Sequence, residues 1–191
     1  NWKDGGWSRN RVGAEYNGNV FGEVDIAGVS KTDYVKNFEA FLDDRPDHAP
    51  FIFWFGAHEP HRTYEYGSGR QAGLELSGLA LPEFLPATDS VITDMLDYAL
   101  EIAWFDKQLN KILGLLEKTG ELDNTIVVVT ADNGMPFPHA KAALHEYGIH
   151  VPLAISGPVV TKPGRTVDDM VSFLDLAPTL LRLCNAKAGD G

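Results

Sequence analysis

Apolar residues recur along the chain at two different spacings, one helical and one typical of strands. Within residues 31–44 they follow the helical period, and we expect Ser30 or Thr32 to cap this helix. A longer stretch with the same period covers residues 91–119 and stops at Gly120. The pattern therefore predicts two amphipathic helices, the second of which is the longest element in the chain.

Three short apolar runs, at residues 51–55, 125–131 and 151–156, predict strands of one sheet. The middle run opens with six consecutive β-branched residues, a composition typical of a strand buried on both faces of a parallel sheet. A long helix followed at once by a buried strand forms a βαβ unit, which is right-handed in most proteins. We therefore expect an α/β fold with αβα layers and a mixed, mostly parallel sheet. A last helix, or a strand and a helix with a break at Pro178, is expected within residues 169–183.

Polar residues follow two of the predicted strands. Asp132 and Asn133 end the middle run, and His58 to Arg62 follow the aromatic run at 51–55. Ligands of open α/β sheets bind beyond the carboxyl ends of the strands, and these oxygen atoms are the kind that Ca²⁺ or Mg²⁺ prefers. Two alternatives stay open: Asp-Asn-Gly is also a common turn, and the histidine segment could be a solvated turn. Zinc is disfavoured, because a proline separates the two histidines and few other ligands lie nearby.

Composition excludes some classes of function and leaves others open. The 191 residues carry a net charge of −11 without any basic run, which disfavours sequence-independent binding of nucleic acid. The single cysteine, Cys184, cannot form an internal disulfide, and its apolar surroundings predict a small core residue. Neither a leader-like segment nor a run of 18 apolar residues is present, so the sequence gives no location.

Several of these segments resemble a known family. TADNG at 130–134, a basic residue shortly after it and HEYGIHVPLAIS at 145–156 are similar to the C-terminal half of a sulfatase site, within the alkaline-phosphatase-like superfamily. PFIFWFGAHEPH at 50–61 resembles the second histidine motif of that family, and VSFLDLAPTLL at 171–181 extends the match. The resemblance implies an alkaline-phosphatase-like fold, of which this chain would be the C-terminal portion of the catalytic domain. We expect a loop over 1–28, an αβ core over 29–184 and a tail over 185–191.

The resemblance also implies roles for individual residues. Asp132 and Asn133 match the pair that binds Ca²⁺, and Lys141 matches the basic residue that contacts the sulfate. His58 matches the histidine on the leaving-group side. The positions expected to contact substrate are His61, Arg62 and His150, although many relatives carry arginine in place of His150.

By the same resemblance, the nucleophile would be a formylglycine made from the Cys or Ser of a C/S-x-P-x-R motif, and two further aspartates would complete the Ca²⁺ site. The 191 residues do not contain that motif. We therefore expect this chain to carry half of a site for a sulfated small molecule or saccharide, and to be inactive alone. The heparan N-sulfatase branch is the most similar. A phosphodiesterase or phosphonate hydrolase of the same superfamily, or a non-catalytic fragment, is the alternative.

Overall fold

The computed structural model describes residues 13–24, 26, 28–78 and 80–186, which form two compact units. The first unit ends at Pro158 and the second begins at Val159. The predicted loop at 1–28 and the predicted tail at 185–191 lie partly outside the described residues.

The described residues of the first unit form four α-helices, and both predicted long helices are confirmed. They are α1 (Tyr34–Asp44), α2 (Ser68–Gln71), α3 (Asp89–Lys118) and α4 (Glu146–Ile149). The predicted cap of α1 was wrong: the carboxylate of Asp33 accepts the Lys36 N–H at 3.0 Å and takes the place expected for Ser30 or Thr32. The hydroxyl of Thr88 caps α3 in the same way.

The sheet in the described part of the chain has two strands, β1 (Val127–Thr130) and β2 (Leu153–Ser156), which pair antiparallel. Two of the three predicted strands are thus found, in shortened form. The third strand, predicted at 51–55, was wrong: within the described chain this segment makes no backbone hydrogen bonds with a neighbouring strand. The side chains of 51–55 nevertheless alternate as in a strand: Ile52 and Trp54 are exposed, and the three phenylalanines are half-buried.

Burial of β1 also differs from the expectation. Its residues are half-buried or exposed, and in the described part of the chain β1 belongs to a sheet of two strands. The layered and mostly parallel sheet stays a prediction.

Aromatic rings hold α1, α3 and the segment 51–55 together. Phe38 lies 4.8 Å from Phe53 between ring centroids, and Phe55 stacks on Phe105 of α3 at 5.4 Å. A second apolar cluster joins Leu85, Met95 and Phe137. This second cluster anchors the segment after β1 to the side of α3.

The second unit is small and exposes most of its apolar residues. A 3-10 turn, Phe173–Asp175, leads into α5 (Leu176–Leu183), and Pro178 lies in the first turn of α5, where proline is tolerated. The prediction that Cys184 is a core residue was wrong: its side chain is exposed, because a unit of this size buries little of its surface. In the described residues of both units, the helices are all too short or too polar to cross a membrane.

Candidate functional site

The loop of residues 58–62 is fixed to α1 through a buried phenol. The hydroxyl of Tyr34 donates to Glu59 Oε2 at 2.8 Å and accepts the backbone N–H of His58 at 3.0 Å. The other oxygen of Glu59 accepts the Ser30 N–H at 2.6 Å. Burial, with a further contribution from the Glu59 carboxylate, raises the pKa of Tyr34 to about 12, so the phenol keeps its proton. The backbone of His58 is therefore held while its imidazole remains exposed.

Arg62, at the end of this loop, is engaged by three parts of the first unit. Its guanidinium donates to both oxygens of Asp94 on α3, at 2.8 and 2.5 Å, and its Nε donates to the Pro136 carbonyl at 3.1 Å. The same group lies 4.9 Å from the ring centroids of Tyr64 and Phe137. The hydrogen bonds to Asp94 raise the pKa of Arg62, so this side chain is a permanent cation.

Lys141 is placed by a compact loop that follows β1. Its backbone N–H donates to the Met135 carbonyl at 3.0 Å, and the Gly134 N–H donates to the Gly148 carbonyl at 3.2 Å. Phe137 and Ala140 are buried and anchor the loop, whereas the side chain of Lys141 is exposed. A fixed backbone thus carries a solvent-facing ammonium group.

Asp132 and Asn133 lie where β1 ends and this loop begins. Asp132 is exposed, and Asn133 is partly buried with its Nδ2 donating to the Gly134 carbonyl at 2.9 Å. That hydrogen bond uses the amide nitrogen and leaves the amide oxygen as an acceptor. Both residues are oxygen donors of the kind that hard cations prefer.

The two remaining predicted substrate residues make local contacts. His61 packs its ring 5.3 Å from that of His58, and its Nδ1 lies 2.6 Å from the Arg62 carbonyl oxygen. His150 Nδ1 lies 2.6 Å from Glu146 Oε1, one helical turn away, and both side chains are exposed.

The structure therefore brings two of the sequence motifs into contact. Arg62 of the 58–62 loop touches Pro136 and Phe137, which lie between Asn133 and Lys141 in the chain. That His58, Asp132, Asn133 and Lys141 converge on one surface stays a prediction.

Three residues next to the candidate site escaped the sequence analysis. Asp94 lies 32 positions from Arg62, and Tyr34 lies 25 positions from Glu59. These pairs depend on which helix lies against which loop, and the sequence does not show that. The third, Glu101 on α3, is buried and reads in the sequence as one more position of a long helix. Burial, and then the neighbouring Glu59, raise the pKa of Glu101 to about 7.

The donors present fit Ca²⁺ in kind but not in number. Asp132 and Asn133 supply two protein oxygens, whereas Ca²⁺ takes six to eight. Among the described residues, no group of three or more His, Cys, Asp or Glu side chains is arranged to hold a metal ion. Further ligands would have to come from elsewhere.

The loop that carries His58, His61 and Arg62 thus contacts the segment that lies between the strand-end Asp-Asn pair and Lys141 in the chain. The sequence profile of the Sulfatase family matches residues 2–186. The chain belongs to the sulfatase family, and the predicted family is confirmed. That family implies the alkaline-phosphatase-like α/β fold.

Characterised relatives are similar over most of the chain. Human N-sulphoglucosamine sulphohydrolase is 32% identical over 170 residues, which cover 77% of this chain and 33% of the relative. Human N-acetylglucosamine-6-sulfatase is 33% identical over 165 residues, covering 78% of this chain and 30% of the relative. An ulvan-active sulfatase of Formosa agariphila is 35% identical over 107 residues, or 56% of this chain and 18% of that protein. The chain thus spans a third or less of the length of these relatives.

Proposed function

We propose that this chain supplies the C-terminal half of a Ca²⁺-dependent formylglycine sulfatase site that acts on a sulfated saccharide. One observation carries the proposal. Arg62 of the His58-containing loop contacts Pro136 and Phe137 in the segment that leads from Asp132 and Asn133 to Lys141, which supports our placing the two motifs on one surface. Family membership supports hydrolysis of sulfate esters as the reaction.

Each residue has a distinct proposed role. Asp132 and Asn133 would hold the Ca²⁺ ion together with ligands outside these 191 residues, and the ion would polarise the sulfate oxygens. Lys141 would offset the negative charge of the sulfate in the transition state. His58 would donate a proton to the leaving group, since imidazole can transfer protons near neutral pH. The exposure of both side chains leaves them accessible to substrate.

The 191 residues alone would bind Ca²⁺ weakly and release no sulfate. One carboxylate and one amide oxygen provide a single formal negative charge for the ion, and Lys141 nearby would repel it. The nucleophile motif C/S-x-P-x-R does not occur in the chain. Activity would therefore require the remainder of a sulfatase catalytic domain.

The names of the relatives suggest the saccharide. Both human relatives are named for sulfated glucosamines, one with an N-sulfate and the other with a 6-O-sulfate. We propose a sulfated amino sugar as the substrate class. Their identities to this chain, 32% and 33%, do not favour the N-sulfate over the 6-O-sulfate.

The test uses the complete gene product that contains these residues. Mass spectrometry should find formylglycine in that protein, and ion chromatography should detect sulfate released from glucosamine N-sulfate or N-acetylglucosamine 6-sulfate. Asp132→Ala should abolish most of the release. An unmodified serine or threonine nucleophile with hydrolysis of phosphodiesters would instead establish the phosphodiesterase alternative. No turnover of any of these esters would refute an enzymatic role.

A further inference from the structure

Arg62 connects the 58–62 loop to α3 and to the segment that follows β1. Its guanidinium forms a bidentate ion pair with Asp94 of α3 and also donates to the carbonyl of Pro136. The guanidinium also lies over the ring of Phe137, the residue after Pro136. A planar group with five donors can pair with a carboxylate through two parallel hydrogen bonds and still donate to a carbonyl, whereas the compact ammonium group of a lysine has no such fork.

Because Asp94 is on a 30-residue helix, one end of this connection is rigid. The other end is the loop that holds Lys141 through the hydrogen bond from its N–H to the Met135 carbonyl. Met135 and Phe137 both pack in the apolar cluster on the side of α3. The position of the Lys141 backbone is therefore set by residues 135–137, and Arg62 fixes these residues to α3.

We propose that Arg62 and Asp94 form a clamp that positions the Lys141 loop, so that Arg62 acts as a positioning residue rather than as a contact to the substrate. The charge of Arg62 is already balanced by Asp94, so an anionic substrate would have to compete with a bound carboxylate. That the loop is held by the clamp follows from the contacts within this chain. That the held lysine serves sulfate hydrolysis rests on the proposed function.

The structure supplies a matched control. Arg70 also pairs with an aspartate of α3, Asp89, at 2.7 Å, and it donates to Thr93 at 3.1 Å. This second arginine thus ties a loop to the same helix with a similar ion pair. Within the described chain, the hydrogen bonds and the ion pair of the Arg70 guanidinium go to Thr93 and Asp89 and not to the 134–141 segment.

The experiment measures amide hydrogen exchange of the 191-residue chain by NMR. Arg62→Ala and Asp94→Ala should each accelerate exchange at Gly134 and Lys141 by about tenfold or more, the effect of losing a charge-assisted hydrogen bond. Amides inside α1 should keep their wild-type rates, and Arg70→Ala should leave Gly134 and Lys141 unchanged. Unchanged exchange at these two amides in Arg62→Ala would overturn the clamp. So would a uniform acceleration across the unit, which would indicate a general loss of stability.

Chemical rescue sharpens the same test. Guanidinium ions, added to Arg62→Ala far below unfolding concentrations, should restore slow exchange at Lys141, because they can occupy the space between Asp94 and Phe137. Urea has the same shape without the charge and should not restore it. Equal rescue by both compounds would contradict the charge-assisted pairing.

Kinetics of the complete gene product separate the clamp from the proposed sulfatase activity. A positioning role predicts that Arg62→Ala lowers kcat for an aryl sulfate and leaves KM nearly unchanged, whereas a substrate contact predicts a raised KM. A raised KM with an unchanged kcat would overturn the positioning role. The wild-type protein could be inactive while Arg62→Ala still accelerates amide exchange locally at Lys141. That result would refute the proposed function and support the clamp.

Discussion

Replacing Tyr34 with phenylalanine removes a single oxygen atom that connects α1 to the 58–62 loop. The hydroxyl donates to Glu59 at 2.8 Å and accepts from the His58 N–H at 3.0 Å, so two hydrogen bonds are lost together. A bond to a charged group contributes about 1.5–3 kcal/mol, and an N–H left without a partner costs about 1–3 kcal/mol when fully buried and less when partly buried, as for His58. Because Glu59 keeps its bond from Ser30, we expect a loss of about 2–4 kcal/mol in the free energy of unfolding.

Tyr64→Phe is the matched control for this change. The Tyr64 hydroxyl donates to the Pro60 carbonyl at 2.8 Å, a single neutral bond to the same loop. Its removal should cost about 1 kcal/mol. Urea unfolding followed by circular dichroism measures both variants, and an unchanged m-value shows that the difference is one of stability. The reasoning is refuted if Tyr34→Phe costs no more than Tyr64→Phe.

Three further predictions concern pH, packing and metal binding. Glu101 binds its proton more tightly when folded, since its pKa is raised from 4.5 to about 7. The free energy of unfolding of the wild type should therefore fall by on the order of 3 kcal/mol between about pH 4.5 and pH 7. Urea titrations at several pH values should show this fall in the wild type and not in Glu101→Gln. A Cβ on Gly134 would clash with the Tyr147 carbonyl oxygen, so Gly134→Ala should lower the melting temperature. Gly114 lies on α3 with open space around it, so Gly114→Ala should raise the melting temperature. Calorimetry should show no Ca²⁺ binding tighter than about millimolar to the isolated chain, and micromolar binding would contradict the two-oxygen site formed by Asp132 and Asn133.

Helices were predictable because their signals are local. The period of apolar residues located α1 and α3 to within a few residues, and Gly120 marked the end of α3 with φ of +73°. The cap of α1 was misassigned, since Ser30, Thr32 and Asp33 are all good capping residues in sequence. Only the backbone geometry decides which of them reaches the first turn.

The segment 51–55 shows where local signals end. Its composition is that of a strand, but a strand also needs a neighbouring backbone, and pairing is a property of the whole fold. In the described chain, Phe51 and Phe53 pack instead on Phe41 of α1. Ile52 and Trp54 are exposed on the opposite side, so this run was wrongly predicted as a buried strand.

For the candidate site, the residue types were predictable and their partners were not. Strand-end placement pointed to Asp132, Asn133 and His58 as polar residues with a chemical role. The sequence could not show that Arg62 pairs with Asp94, because the pair depends on how α3 lies against two loops. The family resemblance supplied roles for these residues, and the contacts supplied the reason that their loops are held in place.

The most direct test of the central claim is the rate of sulfate release by the complete gene product with Lys141 replaced by alanine. Lys107→Ala is the control, since Lys107 is an exposed lysine on the surface of α3. Loss of one group that stabilises transition-state charge should reduce kcat about 100-fold or more in Lys141→Ala, while Lys107→Ala keeps the wild-type rate. Equal rates for the wild type and both variants would contradict the assignment of Lys141 to the sulfatase site.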